Sequence, residues 1–254
     1  MYAMEEGELN GVAFLDVSIF VVSISSVKNF VMIADAFKSV WFVAFQEDPP
    51  KIVLLGKDMY PVHTFGSQLI VGENNLGMVV SDDQMNMHVL TYEPYSIQSL
   101  GGQRLLRRGE INLGHQIQAF SPLKLKSARP GQGALRMGLI AGTSEGGISM
   151  VIPVDEKIFK RLYGLYSRMV THLEHPAGLN PRGYRQIKLP QKSIHASSIM
   201  TGPPGPRGIL DGDLLYRFLH LPLVYQRELA KAVGSKDDRI CDDLLELSIA
   251  VEYF

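Results

Sequence analysis

Residues 31–45 read VMIADAFKSVWFVAF and align without gaps on residues 78–92, MVVSDDQMNMHVLTY; this internal repeat decides the fold. Asp35 falls on Asp82 at a period of about 47 residues, and a looser third copy, LIAGTSEGGISMVIPV, follows at 139–154. The copies also match at Val43 with Leu90 and at Phe45 with Tyr92. A period in the forties is the size of one β-propeller blade, although two apolar hairpins could resemble each other by chance. In each copy the first strand is predicted to line the channel side, turn at the Asp or Gly, and return as the next strand.

The rest of the first 153 residues also reads as short strands separated by turns. Runs rich in Val, Ile, Phe and Met recur at a spacing of roughly ten residues, which is typical of an antiparallel meander. Turn-forming sequences lie between them, such as DPP at 48–50 and GENN at 72–75. The predicted strands are 20–24, 30–34, 40–45, 52–55, 69–71, 78–80 and 87–92. This spacing indicates a sandwich, a barrel or a propeller, and the repeat favours the propeller.

About three WD40-like blades are too few to close a propeller ring, because the sheet edges at both ends would stay open. We therefore predict an incomplete propeller, with its blades at residues 9–153. A further expectation follows from the open ring: the chain would be a C-terminal piece of a longer protein or a truncated gene model.

The pattern changes from strand to helix at Pro153. Residues 155–175 carry apolar side chains at helical spacing, which predicts one long amphipathic helix that ends before Pro176. Five of these side chains are expected to pack the helix against the blades: Ile158, Phe159, Leu162, Leu165 and Met169. An irregular stretch over 176–210 follows the helix.

Three shorter helices are predicted in the last part of the chain, at about 214–219, 222–234 and 237–251. Their start and stop signals are, in order, Asp211 or Asp213 as the first cap, Pro222 and Gly234 around the second helix, and Ser235 before the third. The predicted fold class is thus mainly β, with an α-helical, bundle-like C-terminal domain at 155–254.

Composition places the chain among folded proteins, because 46% of its residues are apolar and 20% are charged. The single cysteine, Cys241, excludes an internal disulfide framework, and its helical surroundings favour a structural thiol over a reactive one. The net charge of −1 hides a basic middle: residues 104–136 hold 7 Lys/Arg against 1 Asp/Glu, whereas residues 1–103 hold 4 against 12. Such a stretch could meet an acidic protein surface or a phosphate backbone.

The chain shows no targeting or membrane signal. The most apolar stretch, 12–24, is interrupted by Asp16 and Ser18 and is shorter than the roughly 20 residues that cross a bilayer. The N-terminus lacks a cationic region before an apolar one, so secretion is not expected. No run of four basic residues marks a nuclear localisation signal.

Four short motifs resemble catalytic or ligand-binding signatures, and each has a simpler structural explanation. GTSEG at 142–146 fits the nucleophile elbow of hydrolases around Ser144, but a strand rather than a helix is predicted after it. His172 and His175 could share a metal, yet two ligands without a third make a weak site, and histidines favour helix C-termini. DGD at 211–213 suits a helix cap better than a calcium loop, and GQG at 131–133 lacks the spacing of a dinucleotide loop.

Basic side chains are the main candidates for a functional surface, either for a partner subunit or for RNA. The candidate residues are Arg104, Arg107, Arg108, Lys124, Lys126, Arg129, Arg136, Arg182 and Arg185. Clustered Lys and Arg are sufficient for phosphate contacts, but no aromatic side chains are interleaved to stack unpaired bases. Docking to a protein partner is therefore favoured over direct RNA contact, and a solvated face is the third possibility.

Several longer motifs carry a resemblance to a known family. They are SVKNF at 26–30, LGMVVSD at 76–82, GGQRLLRR at 101–108, AGLNPR at 177–182, RELAKAVG at 227–234 and DDLLE at 242–246. Together they resemble the C-terminal end of the largest, scaffold subunit of the cleavage and polyadenylation specificity factor. That subunit belongs to a superfamily of three linked β-propellers closed by a helical domain. DGDL at 211–214 is shared across the superfamily, which includes the damaged-DNA-binding ubiquitin-ligase adaptor.

The resemblance implies a nuclear, non-enzymatic scaffold without cofactor, metal or small-molecule substrate. In that family the scaffold assembles a WD-repeat subunit and a zinc-finger subunit that recognise the AAUAAA signal in pre-mRNA, and pre-mRNA is a further candidate partner. The family's first two propellers and part of the third have no counterpart in these residues. Two alternatives stay open: a ubiquitin-ligase adaptor of the damaged-DNA-binding type, and a serine hydrolase that uses Ser144.

Overall fold

The computed structural model describes residues 1–5, 7–17, 20–72, 76–126, 137–188 and 207–251. Its strands are β1 (Tyr2–Glu5), β2 (Glu8–Gly11), β3 (Val21–Val27), β4 (Phe30–Asp35), β5 (Ser39–Gln46), β6 (Lys51–Lys57), β7 (Thr64–Val71), β8 (Leu76–Asp82), β9 (Asn86–Thr91), β10 (Leu106–Asn112), β11 (Ile117–Lys124), β12 (Met137–Thr143) and β13 (Ile148–Val151). Its α-helices are α1 (Glu156–His172), α2 (Pro181–Tyr184), α3 (Gly212–Tyr216), α4 (Leu223–Val233) and α5 (Asp237–Val251). Strands followed by C-terminal helices confirm the predicted fold class.

Three antiparallel sheets follow one another along the chain as three blades. Blade 1 contains β3–β6, blade 2 contains β7–β10 and blade 3 contains β11–β13, and each strand pairs with the next one in sequence. The first strands of consecutive blades, β3, β7 and β11, pack side by side. In a propeller this place belongs to the strands nearest the channel, so the arrangement is that of an incomplete propeller.

The internal repeat coincides with the second and third strands of each blade. Its copies cover β4 and β5, β8 and β9, and β12 and β13. The prediction that the first strand of each copy lines the channel was therefore wrong, because β3, β7 and β11 occupy that place. These inner strands read VVSISSV, TFGSQLIV and IQAFSPLK, which share too little sequence to extend the repeat.

The matched aspartates of the repeat form the same turn hydrogen bond in two blades. The Asp35 carboxylate accepts the backbone N–H of Phe37 at 2.9 Å, and that of Asp82 accepts the backbone N–H of Gln84 at 2.9 Å. A carboxylate that binds the amide two residues on stabilises a tight turn. Each aspartate thus closes the hairpin between the second and third strands of its blade.

Two apolar joints hold the blades together. The first joint packs Met32, Val40 and Phe42 of blade 1 against Leu69, Met78, Val80, Leu90 and Leu105 of blade 2. The second joint packs Ile70, Val79, Met87 and Ile111 of blade 2 against Ile117, Leu139 and Ala141 of blade 3. Side chains alternate along a strand, so Met78 and Val80 face one neighbour while Val79 faces the other. Blade 2 is consequently apolar on both faces.

The outer face of blade 1 carries the only tryptophan of the chain. Trp41 pairs with Ile33 across β4 and β5, and paired residues share a face of the sheet. Since Met32, the neighbour of Ile33, points into the first joint, Trp41 lies on the side turned away from blade 2. Its side chain is partly buried there.

The helices form their own apolar cluster. Leu162, Leu165 and Met169 of α1 pack with side chains of α3, the turn after it, α4 and α5: Leu214, Leu215, Phe218, Leu229, Ala230, Ile240 and Leu244. The prediction that these α1 residues pack against the blades was wrong. The later helices are themselves amphipathic and offer a complete apolar surface, so the stripe of α1 is covered within the helical part.

Most helix boundaries match their sequence signals. Asp211 caps α3, accepting the backbone N–H of Asp213 at 3.1 Å, and Gly234 ends α4 with φ of 76°. Pro222 precedes α4 as predicted, and α5 begins at Asp237. The long helix ends at His172, a few residues before Pro176.

Three local features differ from the sequence predictions. The Ser235 hydroxyl donates to the carbonyl of Lys236 at 3.5 Å instead of capping α5. The short helix α2 lies inside the stretch predicted as irregular, where Asn180 caps it by accepting the backbone N–H of Arg182 at 2.9 Å. The hairpin of β1 and β2 was not predicted either. Within the described ranges, no helix is long and apolar enough to span a bilayer.

Candidate partner-docking and nucleic-acid interface

The basic run GGQRLLRR takes part in the contact between blades 1 and 2. Arg104 and Arg107 both lie over the ring of Tyr60, with their guanidinium carbons 5.2 and 5.0 Å from its centroid. Arg104 also donates to the Tyr60 hydroxyl at 2.7 Å. Tyr60 follows β6 of blade 1, whereas Arg107 lies on β10 of blade 2. Both arginines are therefore already bound to another part of the same chain.

Arg107 is a buried ion-pair partner rather than a surface cation. Its side chain is 12% exposed and donates to Asp58, which is 1% exposed, at 2.7 Å. A second nitrogen donates to Glu110 at 3.4 Å. Burial lowers the pKa of the Arg107 guanidinium, but the charges of Asp58 and Glu110 outweigh it and the net shift is upward. Its charge is thus balanced inside the molecule.

His88 extends this ion pair into a buried chain of charges. One ring nitrogen contacts Glu110 at 3.2 Å and the other contacts Asp82 at 3.0 Å. Both partners are carboxylates, so a ring that carries protons on both nitrogens can donate to each of them. Burial lowers the pKa of His88, but the hydrogen bonds to Asp82 and Glu110 outweigh it and raise the pKa. Burial raises the pKa of Glu110, and the hydrogen bond from His88 with the charge of Arg107 reverses the shift.

Arg108, the next residue, has a different environment. Its side chain is 47% exposed and forms a bidentate pair with Glu93. That hydrogen bond lowers the pKa of Glu93 and raises that of Arg108. An exposed pair of this kind is weakly stabilising and can exchange its partner for another carboxylate or a phosphate.

Arg185 connects the helical part to the blades. Its guanidinium donates to Asp211 at 2.8 Å and to the carbonyl of Leu113, just beyond β10, at 3.0 Å. Burial lowers the pKa of Arg185, but Asp211 outweighs it and the pKa is raised. Since Asp211 also caps α3, one arginine fixes a helix start against a blade edge.

The backbone on both sides of residues 189–206 is attached to blade 2. Asn86 binds the backbone N–H of Lys188 at 3.0 Å and its carbonyl at 2.8 Å. Glu110 and Arg207 exchange two backbone hydrogen bonds of 2.7 and 2.8 Å. These contacts cover part of the outer edge of β10, which would otherwise be open to pairing with another chain.

The remaining basic candidates that the structure describes are exposed. Lys124 lies exposed at the end of β11, and Arg182 lies exposed in α2. Lys126 is exposed too, and its backbone N–H donates to the carbonyl of Ala250 in α5 at 3.0 Å. Arg129 and Arg136 lie outside the described residues. The structure thus separates the candidates into buried joint residues, Arg107 and Arg185, a half-buried Arg104, and exposed residues.

The hydrolase-like motif lies in a tight hairpin turn. Ser144 follows β12, and β13 begins at Ile148, so a strand and not a helix follows the motif. The backbone N–H of Ser144 donates to the carbonyl of Gln116 at 2.9 Å. A nucleophile elbow needs a strand–turn–helix geometry, so the structure does not favour the hydrolase alternative.

The other weak motifs have structural roles. His175 donates to the carbonyl of Val170 at 3.0 Å, and His172 contacts that of Arg168 at 3.0 Å, both near the end of α1. Within the described ranges no group of three His, Cys, Asp or Glu could hold a metal ion. Burial raises the pKa of Cys241, and Asp237, Asp238 and Asp242 add to it, which disfavours the reactive thiolate. The GQG motif at 131–133 lies outside the described residues.

Sequence reasoning missed the acidic and aromatic partners of the basic run. Asp58, Tyr60, Glu93 and Glu110 were not singled out, although they bind three of the candidate arginines. One signal was present, because Asp58 and Arg107 are 49 positions apart, close to one repeat period. Residues one period apart occupy comparable places in neighbouring blades, where they can meet.

Comparisons with known proteins point to one family. The family model described as "CPSF A subunit region" matches residues 1–220. The chain is 35% identical over 248 residues to "Cleavage and polyadenylation specificity factor subunit 1" of Arabidopsis thaliana, covering 97% of this chain and 16% of the relative. It is 32% identical over 259 residues to the protein of the same name in Drosophila melanogaster, covering 100% of this chain and 17% of the relative.

A more distant relative gives the same picture. The chain is 30% identical over 254 residues to "Protein cft1" of Schizosaccharomyces pombe, covering 98% of this chain and 17% of the relative. The chain therefore spans about a sixth of the length of the curated relatives it matches. None of these names refers to a ubiquitin-ligase adaptor or to a hydrolase.

Proposed function

Because the chain belongs to the family of the CPSF A subunit region, we propose that it is a scaffold subunit region of the nuclear machinery that cleaves and polyadenylates pre-mRNA. The relatives are named as polyadenylation specificity factor subunits, and a scaffold fits the architecture of these residues. It acts by docking protein partners and not by catalysis.

One observation carries this proposal: the charged clusters hold sheets and helices together. Arg107 joins two blades, and Arg185 joins the helical part to a blade edge. Buried ion pairs of this kind fix a specific geometry, which a rigid platform for other subunits requires. We further propose that residues 9–153 and 155–254 act as two domains, with Arg185 as the link between them.

The exposed cations are the docking candidates that remain. We assign Arg108, Lys124, Lys126 and Arg182 to contacts with partner subunits, because their side chains are exposed. By the family resemblance the partners are the WD-repeat and zinc-finger subunits of the polyadenylation specificity factor. The buried arginines contribute indirectly, by keeping the blades in register.

Purification of the tagged chain from nuclear extract tests this assignment. We expect Arg108→Glu, Lys124→Glu and Arg182→Glu together to remove both partner subunits from the purified material. The matched control is Arg217→Glu with Lys231→Glu and Lys236→Glu, which changes the net charge equally at exposed positions of the helical part. Both proteins should keep the far-ultraviolet circular dichroism of the wild type. Equal recovery of the subunits with the two triple variants contradicts the assignment, and recovery of a cullin with the wild type contradicts the proposed function.

Direct contact with pre-mRNA is the second role of the same cations that we would test. Clustered exposed cations give an RNA affinity whose logarithm falls with the logarithm of salt concentration, at about −0.7 per phosphate contact. Fluorescence anisotropy with an AAUAAA oligonucleotide and a scrambled one measures this slope. A loss of slope in the first triple variant supports RNA contact, and an unchanged slope leaves docking as the role of these residues.

A further inference from the structure

The loop between β9 and β10, residues 92–105, exposes three apolar side chains. Tyr95 is 100% exposed, Ile97 is 96% exposed and Leu100 is 63% exposed. Ile97 and Leu100 stand at the two ends of one turn, in which the backbone N–H of Leu100 donates to the carbonyl of Ile97 at 3.5 Å. Single exposed apolar residues are common on protein surfaces, whereas several of them on one loop mark an interaction site.

Hydrogen bonds hold this loop in one conformation. The buried hydroxyl of Ser99 donates to the carbonyl of Ser96 at 2.7 Å and accepts the backbone N–H of Gly102 at 3.1 Å. The carbonyl of Ser99 also accepts the backbone N–H of Arg104 at 2.9 Å. Leu100 adopts a left-handed backbone conformation, with φ of 51°. A loop that is ordered before it binds loses little conformational entropy on binding.

Close packing attaches the base of the loop to both blades. A Cβ atom on Gly56 of β6 would overlap the carbonyl oxygen of Gly102, and a Cβ atom on Gly102 would lie 2.9 Å from the ring of Tyr92, just after β9. Glycine at these two positions lets the loop approach blade 1 and blade 2 together. The loop is thus packed at its base and exposed at its apolar tip.

Two cations lie side by side at the base of the loop. Lys57 of β6 and Arg104 form a parallel bridge, in which the N–H of Lys57 donates to the carbonyl of Gln103 at 2.9 Å and the N–H of Leu105 donates to that of Lys57 at 3.0 Å. Paired residues share a face of the sheet, where like charges repel. Among the described residues neither cation pairs with a carboxylate, and the side chain of Arg104 binds the neutral Tyr60.

The charge of the surrounding sequence is positive. Residues 94–109 contain 3 Arg and no Asp or Glu. Two of these arginines, Arg107 and Arg108, are balanced by carboxylates of the blades. The charges of Lys57 and Arg104 therefore call for carboxylates from another molecule, by charge complementarity.

The chemistry of the tip favours a protein over RNA as that molecule. Unpaired bases bind by stacking on aromatic rings, and the tip offers one ring, that of Tyr95. Ile97 and Leu100 have no face on which a base could stack. An aromatic anchor flanked by aliphatic side chains, with charges at the rim, is typical of a protein–protein interface.

We propose that the loop docks a partner protein, with Tyr95, Ile97 and Leu100 in an apolar pocket of the partner and carboxylates at the rim of that pocket bound to Lys57 and Arg104. The inference rests on the proposed scaffold function, because the partner is taken to be a subunit of the same assembly. It adds the place of contact and the chemistry of the partner's surface.

Photo-crosslinking of the full chain tests the contact at the tip. Tyr95 is replaced by p-benzoylphenylalanine, and Tyr225 of α4, which is 57% exposed, receives the same group as the control. The probes are the recombinant WD-repeat subunit and the recombinant zinc-finger subunit, each with an AAUAAA oligonucleotide present. We expect one subunit to crosslink at position 95 through a segment that contains Asp or Glu, and more strongly than at position 225.

The other outcomes of this experiment overturn the proposal. They are a crosslink from position 95 to the oligonucleotide or to a second copy of this chain, and equal crosslinking at the two positions. If the wild-type chain binds a subunit but position 95 does not crosslink to it, this inference fails and the proposed function stands. If the wild-type chain binds neither subunit, both fail.

Matched substitutions test the apolar tip. We expect Tyr95→Ala with Ile97→Ala to weaken binding of the crosslinked subunit at least about tenfold, by fluorescence anisotropy. Leu223→Ala with Val224→Ala, at exposed apolar positions of α4, should leave the affinity unchanged. Equal affinities of the two double variants overturn the proposal.

A charge reversal tests the cation pair and separates binding from stability. Lys57→Glu places a carboxylate beside Arg104, so it should keep the urea midpoint at or above that of the wild type. The same substitution should weaken binding of the subunit at least about tenfold, because the rim carboxylates of the partner lose their cations. Lys51→Glu, exposed at the other end of β6, is the control and should bind like the wild type. Equal affinities of these two variants overturn the proposal.

Discussion

The two joints between blades both bury apolar side chains, but they differ in the polar groups beside those side chains. Both contain an apolar cluster of strand side chains, and among the described residues the first also continues into a buried chain of charges from Asp58 through Arg107 and Glu110 to His88. At the second joint a neutral hydroxyl, that of Ser81, donates to the carbonyl of Ile117 at 3.0 Å. The difference shows how repeated blades acquire individual interfaces while their turns stay alike.

Charge at the first joint makes it specific but sensitive. Removing one member of a buried ion pair leaves the others without compensation in a low dielectric, whereas trimming an apolar cluster leaves only a cavity. The two joints should therefore respond to different perturbations, in magnitude and in their dependence on pH.

The largest effect is expected from Arg107→Met. The substitution keeps the length of the side chain but removes the cation bound to the buried carboxylate of Asp58 and one of the two groups that bind Glu110, which should lower the free energy of unfolding by about 3–5 kcal/mol. Urea denaturation measures it. Arg108→Met, one position on, is the matched control, and its exposed pair with Glu93 predicts a loss of about 0–1 kcal/mol. Similar losses for the two variants would show that Arg107 is not a joint residue.

A comparable loss without electrostatics is expected from Ile111→Ala in the second joint. Ile111 is buried between blades 2 and 3, so the deletion should cost about 2–5 kcal/mol through lost burial and a residual cavity. The control is Ile24→Ala at an exposed position of β3. The size of the loss should be the same at every pH at which the wild type is folded. A pH-dependent difference between Ile111→Ala and the wild type would refute the contrast between the joints.

The smallest effect is a pH dependence carried by His88. Its folded pKa is raised, so its contribution to stability is complete below the unfolded value of about 6.5 and is lost as pH rises through the folded pKa. Within that window the free energy of unfolding should fall by at most about 1.4 kcal/mol per pH unit. Urea titrations across pH should show this fall in the wild type and a flatter profile in His88→Gln. Equal slopes in the two proteins would show that a protonated His88 does not stabilise the joint.

Most of the fold could be predicted from the sequence, because the internal repeat shows the period of the blades. The alignment of 31–45 on 78–92 identified two hairpins of neighbouring blades, and the turn aspartates Asp35 and Asp82 marked where each strand reverses. Helix ends were equally legible, since Asp211 and Gly234 act through local backbone chemistry. Turn and helix-end signals depend on only a few neighbouring residues, so a single sequence is sufficient to identify them.

The candidate site was less predictable, because the burial of a side chain depends on tertiary packing and not on its local sequence. Arg107 and Arg108 are identical and adjacent, yet one lies between blades and the other is at the surface. The register shift between Arg107 and Gly109 decides which side chain points inward. The packing of α1 failed for the same reason, because amphipathicity shows that a helix face is covered without showing by what.

The position of the single tryptophan has a practical consequence for optical work on this chain. Trp41 lies in blade 1, on the face turned away from blade 2, whereas helical content dominates far-ultraviolet circular dichroism. Intrinsic fluorescence excited at the indole thus reports on blade 1, and dichroism reports mainly on the helices. Superimposable melting curves from the two signals would indicate a single cooperative unit, and separated curves would show that blade 1 and the helices unfold at different temperatures.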